Sequence, residues 1–515
     1  MFPDCFKRFS SRLAEKLLTG VLITSLTLSP LWVSPLQAQP TGAPTLGPAS
    51  AADLSPALER KLGEAIMEQG RRDPDYISDP DIDQYLNSMA RKLAAYAPGG
   101  APEIEAFGVR ENVINAFAMP GGFIGINTGL IVAAGDESEL AGVMAHEIAH
   151  VVQRHIARGL TQQQKSGHIA LASMAAALLA ALVPGGGANL AAGIATFGQA
   201  AAIEQQLGFS RDAEQEADRT GFEMLRKAGY DPNGMAILFG RLMKSASLNE
   251  GRGGGVYAST HPLSIQRMTD MQNRISQLPL ARYRASDEFW FIRAKSRILQ
   301  ATDPKSLRVA VDQLQEETRQ TGGERSALNP VRRAAAWYGV SFAALSRKDL
   351  AGASSALQQA QTILTNSPFL DLQRIDIELA NKNYPAALTS AQAAMKRWPE
   401  RRAFAQRVAQ SMQLLGKDKE AVVFLSEQIK RWPSAEPGFF QMRATSQDRL
   451  DDPVGARQSL ASYYILVGAL PAAATQLQQA RTMSKDFYVQ SQIDVELRQL
   501  TKKIIENKQL LEKLK

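Results

Sequence analysis

The chain has 515 residues, too many for one hydrophobic core, so two or three domains are expected. An apolar content of 45% with 21% charged residues is that of a folded protein and excludes wholesale disorder. The formal charge of +7 is mild for this length, and no Arg/Lys run is interleaved with aromatic residues, so no nucleic-acid partner is expected.

Residues 1–38 read as a signal peptide. Lys7, Arg8, Arg12 and Lys16 form a basic start, an apolar run covers about Leu17 to Val33, and Leu36-Gln37-Ala38 precedes a cut before Gln39. An uncleaved membrane anchor competes with this reading because the run nearly reaches spanning length; Pro30, Pro35 and the small-residue exit favour cleavage. Cys5, the sole cysteine, lies inside that segment, upstream of the apolar run, so the mature chain would have no thiol for a disulfide or a metal. A thiol-free exported protein suits an oxidising compartment, and the bacterial periplasm is the expected address, with association to the outer membrane left open.

Residues 39–52, rich in Pro, Ala, Gly and Thr, read as a disordered lead-in. One domain is expected over 53–283 and an all-α repeat domain over 284–515. Two helical patterns follow the lead-in, one carried by Leu54, Leu58, Leu62 and Ile66, the other by Ile82, Tyr85, Leu86, Met89 and Leu93. Glu103–Val109 reads as a strand, and residues 113–127 as a hairpin about Pro120-Gly121-Gly122. A helix is then expected from Glu137 to Arg158, capped by Asp136 or Ser138.

That helix carries His146-Glu147-Ile148-Ala149-His150, an HExxH pattern. Residues four apart share a helix face, so His146 and His150 present two imidazoles to one metal ion while Glu147 reaches a water beside it. The five histidines, at 146, 150, 155, 168 and 261, all fall in one window. His155, five residues after His150, should turn off the metal face and serve structure or surface. A catalytic zinc site wants a third protein ligand, and no later histidine has the spacing of the extended three-histidine motif. In the helix opened by Ser210, Glu214 and Asp218 are i, i+4 and share a face, whereas Glu216 points elsewhere. Glu214 as ligand, with Asp218 bonded to a ligating imidazole, is one reading; an acidic solvated face is the other.

The charge-free run Ile169–Val183 and the small-residue run continuing to Ile203 read as buried helices, as a lid, or as a surface touching substrate or lipid. Farther on, Ala353, Ala387 and Ala421 stand 34 apart, as do the Arg-Trp-Pro triplets at 397–399 and 431–433. This is the tetratricopeptide period, with small residues where paired helices approach and a proline closing the second helix. A further unit about Gly468, Ala473, Leu477 and Ala480 falls out of phase, so an irregular insert is expected before it, and Leu500–Lys515 reads as a capping helix. The fold class is therefore mainly α: an α+β domain with a small sheet, then an all-α solenoid.

Taken together, HEIAH, Glu214-Gln-Glu-Ala-Asp218, Thr260-His261-Pro262 with Arg267, and Asn115-Ala-Phe-Ala-x-Pro-Gly-Gly122 resemble the gluzincin peptidases of the HtpX and CAAX-prenyl-protease type. The resemblance implies one Zn2+ per chain held by His146, His150 and Glu214, with Glu147 as general base and Asp218 as an orienting partner and proton donor. It also implies a regulatory role for His261 near the metal. From the residues alone, His261 is an oxyanion stabiliser, a fourth ligand that keeps the site latent, or a buried histidine before a turn-forming proline. With an export signal ahead and repeats behind, the resemblance implies a periplasmic endopeptidase acting on unfolded or stalled outer-membrane proteins, aiding their assembly, docked to the β-barrel assembly machinery through its repeats. Contact with a membrane surface is left open. Phe123, Gly125 and Asn127 are expected to pair with an extended substrate by strand addition. The competing class is a chaperone or scaffold whose repeats bind while the metal site stays shut.

Overall fold

The computed structural model describes residues 55–100, 102–162, 209–248, 255–279, 283, 286–319, 330–434 and 436–514. The signal segment, the lead-in, His168 and the apolar stretch 169–203 lie outside the described residues. The described chain from residue 55 onward belongs to one compact unit. Among the described residues no helix is long and apolar enough to cross a membrane.

The first half assembles around a small sheet. Helices α1 (Pro56–Gly70) and α2 (Pro80–Ala94) precede strands β1 (Glu105–Val109), β2 (Ala116–Met119) and β3 (Phe123–Asn127). Both helices open with proline behind a capping side chain, Ser55 and Asp79, which satisfies the first free amides. The hairpin falls where it was read: β2 and β3 are antiparallel about Pro120-Gly121-Gly122. β1 joins the other edge of β3 in parallel, giving the order β1-β3-β2. Alternate side chains go to opposite faces. Phe107, Phe117, Met119 and Phe123 meet α1, whereas Ala106, Ala116, Ile124 and Ile126 enter the core shared with α2.

Next come α3 (Thr128–Ala133), α4 (Glu137–Val152), α5 (His155–Gln162), α6 (Arg211–Lys227), α7 (Asn233–Leu248), α8 (Gly255–Thr260) and α9 (Ile265–Ser276). The helix expected to run unbroken to Arg158 ends at Val152 instead. Arg154 has φ of 55°, a left-handed conformation that stops one helix and starts α5 in a new direction.

The second half is helical throughout its described residues: α10 (Glu288–Leu299), α11 (Pro304–Arg319), then the pairs α12 (Pro330–Ser346) and α13 (Leu350–Ile363), α14 (Pro368–Ala380) and α15 (Tyr384–Arg397), and α16 (Arg402–Leu414) and α17 (Asp418–Arg431). Ala353, Ala387 and Ala421 are fully buried at the helix contacts, as their 34-residue spacing requires. The irregular insert expected after 433 is absent among the described residues. Instead α18 (Pro437–Arg449) and α19 (Pro453–Leu466) form another pair, followed directly by α20 (Leu470–Met483). Asp452 caps Gly455 as Asp349 caps Gly352, so Ala456 continues the series one residue late; Gly468, with φ of 75°, makes the turn before the next helix, to which Ala473 belongs.

The final helix, α21 (Phe487–Leu514), folds back onto α1. Lys503 Nζ lies 2.9 Å from Glu68, Asn507 donates to the same carboxylate at 3.0 Å, and Leu511 is buried among Leu62, Ile66 and Met67. Arg402 pairs with Asp83, and Gln84 donates to the Glu400 carbonyl at 2.8 Å. The core of the first half also continues into α12–α14, so the expected boundary at 284 does not separate two hydrophobic cores.

Candidate metal centre

Two helices held face to face build the centre. α4 starts behind Asp136, whose carboxylate accepts from Glu139 N at 3.0 Å, and Glu137 and Glu139 fill its first turn, where the helix dipole favours acids. Residues 137–150 are all buried. α6 starts behind Ser210, which caps Ala213. A Cβ on Gly221 of α6 would stand 3.1 Å from the Ala145 carbonyl and His146 N, so the bare backbone there allows the close approach to α4. The approach sets Glu214 and Asp218 against the two imidazoles of the HExxH face.

His146, His150, Glu214 and His261 each offer one donor atom, all within 4.8 Å of one another and all buried. His146 Nε2 lies 3.0 Å from His150 Nε2, 3.4 Å from His261 Nδ1 and 3.4 Å from Glu214 Oε2. Glu214 Oε1 lies 3.1 Å from His261 Nδ1 and 3.5 Å from His150 Nε2. Ligands about 2.05 Å from a tetrahedral zinc stand about 3.4 Å apart, and these five separations, taken to both Glu214 oxygens, lie close to that value. His261 arrives from the end of α8, where its amide donates to the Tyr257 carbonyl at 2.8 Å, and the Tyr257 ring stacks on its imidazole at 4.7 Å.

Glu147 is wholly buried beside this set. Its Oε1 lies 3.5 Å from both the Tyr257 hydroxyl and His261 Nε2, and its Oε2 has no hydrogen-bond partner among the described residues. A buried carboxylate oxygen left so is costly unless a further group occupies the site. Behind His146, Asp218 Oδ1 lies 3.0 Å from Nδ1. Arg267 grips both Asp218 oxygens at 2.6 and 2.8 Å and reaches Glu214 Oε2 at 2.6 Å.

The electrostatics describe a pocket that wants positive charge. Burial alone would raise Glu214, but His261 and His146 more than reverse it and hold its carboxyl well below the usual range. Burial would lower His146, yet Asp218 and Glu214 together bring it up to about 9. Burial, reinforced by the neighbouring His146, keeps His150 well below the usual imidazole range. Glu147 is raised chiefly by burial.

Comparison with known proteins matches residues 78–275 to Peptidase family M48. The chain is 38% identical over 245 residues to a Vibrio cholerae protein described as a β-barrel assembly-enhancing protease, covering 46% of this chain and 48% of that one. It is 32% identical over 255 residues to the β-barrel assembly-enhancing protease of Escherichia coli, covering 49% and 51%. The chain thus spans about half the length of these two curated relatives. With the Yersinia pestis β-barrel assembly-enhancing protease it shares 30% identity over 365 residues, 68% of this chain and 69% of that one. The chain belongs to peptidase family M48. Its likeness to the β-barrel assembly-enhancing proteases extends past the family match into the repeat helices.

Within this M48 chain the structure brings His146, Glu147, His150, Glu214 and His261 together and sets Asp218 one step behind. Asp218 does not reach the centre: its oxygens are taken by His146 and Arg267, and it is held below the usual carboxylate range, with Arg267 and His146 overcoming burial. The proton-donor part of its expected role therefore has no geometry here. Strand addition at Phe123, Gly125 and Asn127 is also overturned. They lie in the central strand, whose two edges are taken by β1 and β2, and a Cβ on Gly125 would lie 2.2 Å from the Phe117 ring. Asn127 instead ties the chain down, donating to the Val113 carbonyl at 3.2 Å.

His155 is not among the four donors, but neither is it a surface residue: it is buried against His150. Sequence reasoning gave no role to Arg267, Tyr257 or Phe209, whose ring stacks on His150 at 3.9 Å. Arg267 had a signal, lying six residues after His261 in the quoted motif; Tyr257 and Phe209 had none, because single aromatics in short segments read as core. A cavity of about 390 Å³ beside His150 is walled by Glu59, Arg60, Met119, Pro120 and Ile156.

Proposed function

We propose that this chain is a zinc-dependent metalloendopeptidase of the periplasm that degrades misfolded or stalled outer-membrane β-barrel proteins and aids their assembly, carrying one zinc per chain. The observation that carries the metallopeptidase reading is the set of four buried donors within 4.8 Å of one another, with a partnerless oxygen of Glu147 beside it. Family membership and the descriptions of the relatives support it.

His146, His150 and Glu214 would hold the ion. Bound there, it would supply Lewis acidity toward the scissile carbonyl and bring the pKa of water toward about 7. Glu147 takes the water proton at Oε2 and passes it to the leaving amine. Burial, which raises this carboxyl, suits a group that must hold that proton between the two transfers. Arg267 keeps Asp218 charged and aimed at His146 Nδ1, which leaves His146 Nε2 free of its proton to face the ion. The cavity beside His150 is the proposed entry for substrate.

His261 is the proposed latch. As fourth donor it fills the position a catalytic site leaves open, and its Nε2 faces the general base. Withdrawal of the Gly255–His261 segment would open both positions together. That closed arrangement also favours a second reading, a chaperone whose repeats act while the site stays shut. The repeats would dock the β-barrel assembly machinery. The test is cleavage of an unfolded β-barrel precursor by wild type and by His261→Ala. Faster cleavage by the variant supports the latch; abolished cleavage makes His261 a transition-state stabiliser. No cleavage by either protein, with assembly still promoted, leaves the chaperone.

A further inference from the structure

We infer that His155 is a positioning residue for the metal centre: it holds the tautomer and orientation of His150 through a histidine–histidine–glutamate chain. The inference rests on the metal site proposed above and adds a part outside its donor set. His150 points Nε2 into the cluster, 3.0 Å from His146 Nε2. Its other ring nitrogen, Nδ1, lies 2.8 Å from Nδ1 of His155. His155 Nε2 lies 3.2 Å from Glu216 Oε2, which also accepts from Arg158 Nη1 at 2.9 Å.

One proton arrangement satisfies every contact. A neutral imidazole that ligates through Nε2 carries its hydrogen on Nδ1. His150 then donates to Nδ1 of His155, which must accept and so carries its own hydrogen on Nε2, donating to Glu216. The Glu216 carboxylate accepts from both sides, and the Arg158 guanidinium holds it in place. No other assignment lets the 2.8 Å contact be a hydrogen bond between neutral rings while leaving the His150 Nε2 lone pair for the centre.

The two ligating imidazoles are therefore supported differently. His146 is backed by a carboxylate, Asp218, held by Arg267. His150 is backed by a neutral imidazole, with its carboxylate one residue farther out. The backbone makes this possible. On an unbroken helix a residue five positions after His150 would point away from it; the left-handed Arg154 breaks the helix and swings His155 behind His150. Arg154 is fixed by its ion pair with Glu59 of α1 at 3.1 Å.

The test uses the full-length protein and three substitutions that separate hydrogen bonding from packing. In His155→Asn the amide oxygen stands where Nδ1 stood and still accepts from His150. In His155→Gln the amide lies near the Nε2 position, reaching Glu216 but not His150. His155→Phe keeps the ring and neither bond. Zinc affinity is read by competition with a chromogenic chelator, alongside the thermal midpoint of the metal-free protein.

Loss of such a supporting bond weakens metal binding about 10–100-fold. The expected result is that loss for Gln and Phe, with Asn within a few-fold of wild type and the order unrelated to the metal-free midpoints. Equal loss in all three, or affinities that follow the midpoints, would make His155 a packing residue and overturn the inference. Unchanged affinity in all three would overturn it as well. If wild type itself binds no zinc, the metal reading fails rather than the role of His155.

Discussion

Replacing Arg267 with methionine should destabilise the metal-free protein by about 4 kcal/mol, because it strands two buried carboxylates. The side chain is almost wholly buried, and its guanidinium makes three short contacts, at 2.6 and 2.8 Å to Asp218 and 2.6 Å to Glu214. Methionine keeps much of the stem's volume, so little of the loss comes from a cavity. Breaking a buried ion pair by removing one partner typically costs about 3–5 kcal/mol, and here one cation serves two anions, so the upper half of that range applies. A divalent cation at Glu214 would restore part of the missing charge. Zinc should therefore stabilise the variant by more than it stabilises the wild type, which narrows the gap between them. Denaturant unfolding of chelator-treated and zinc-loaded protein, with Arg267→Lys as a charge-retaining control, measures both gaps. A metal-free Arg267→Met protein that unfolds at the wild-type midpoint would refute the account of a centre poised for positive charge.

Three further outcomes follow from the same contacts. Glu317 is half-buried among Arg293, Arg297 and Arg332, which together overcome desolvation and hold its carboxyl down to about 2 from an ordinary 4.5. Its folded pKa is depressed, so its stabilisation is present above about pH 4.5 and fades as pH falls toward 2. Burial and the neighbouring arginines depress Arg293 to about 10, which cancels part of the gain. Glu317→Gln should then lose about 2 kcal/mol at neutral pH and flatten the acid limb of a stability–pH curve. Leu511→Ala should cost about 2–4 kcal/mol in denaturant unfolding, since its side chain closes the core shared by α1 and α21. Gly221→Val should weaken zinc binding in a chelator competition by pushing α6 off α4, with about 1–3 kcal/mol lost from overpacking.

Much of the centre was legible because helical spacing turns directly into shared faces. His146 with His150, and Glu214 with Asp218, needed only the 3.6-residue period and two helices. The repeat architecture was legible for the same reason, its buried alanines returning every 34 residues. What could not be read were departures from regularity and pairings across long separations. The left-handed Arg154 turned an expected bystander, His155, into a neighbour of His150. A hairpin read correctly at Pro120-Gly121-Gly122 said nothing of β1 taking the other edge of β3, which is what shuts substrate out of that strand. The docking of α21 on α1 joins residues more than 400 positions apart, through Glu68 and the buried Leu511, which no local pattern marks.

The most direct test of the account is casein cleavage by wild type and by Glu147→Gln, with zinc measured in the same preparations. Glu147 lies outside the donor set, so the variant should retain one zinc per chain while its cleavage rate falls by about 10²–10⁴-fold, the range for removing a general base. A zinc-loaded Glu147→Gln protein that cleaves at the wild-type rate would contradict it.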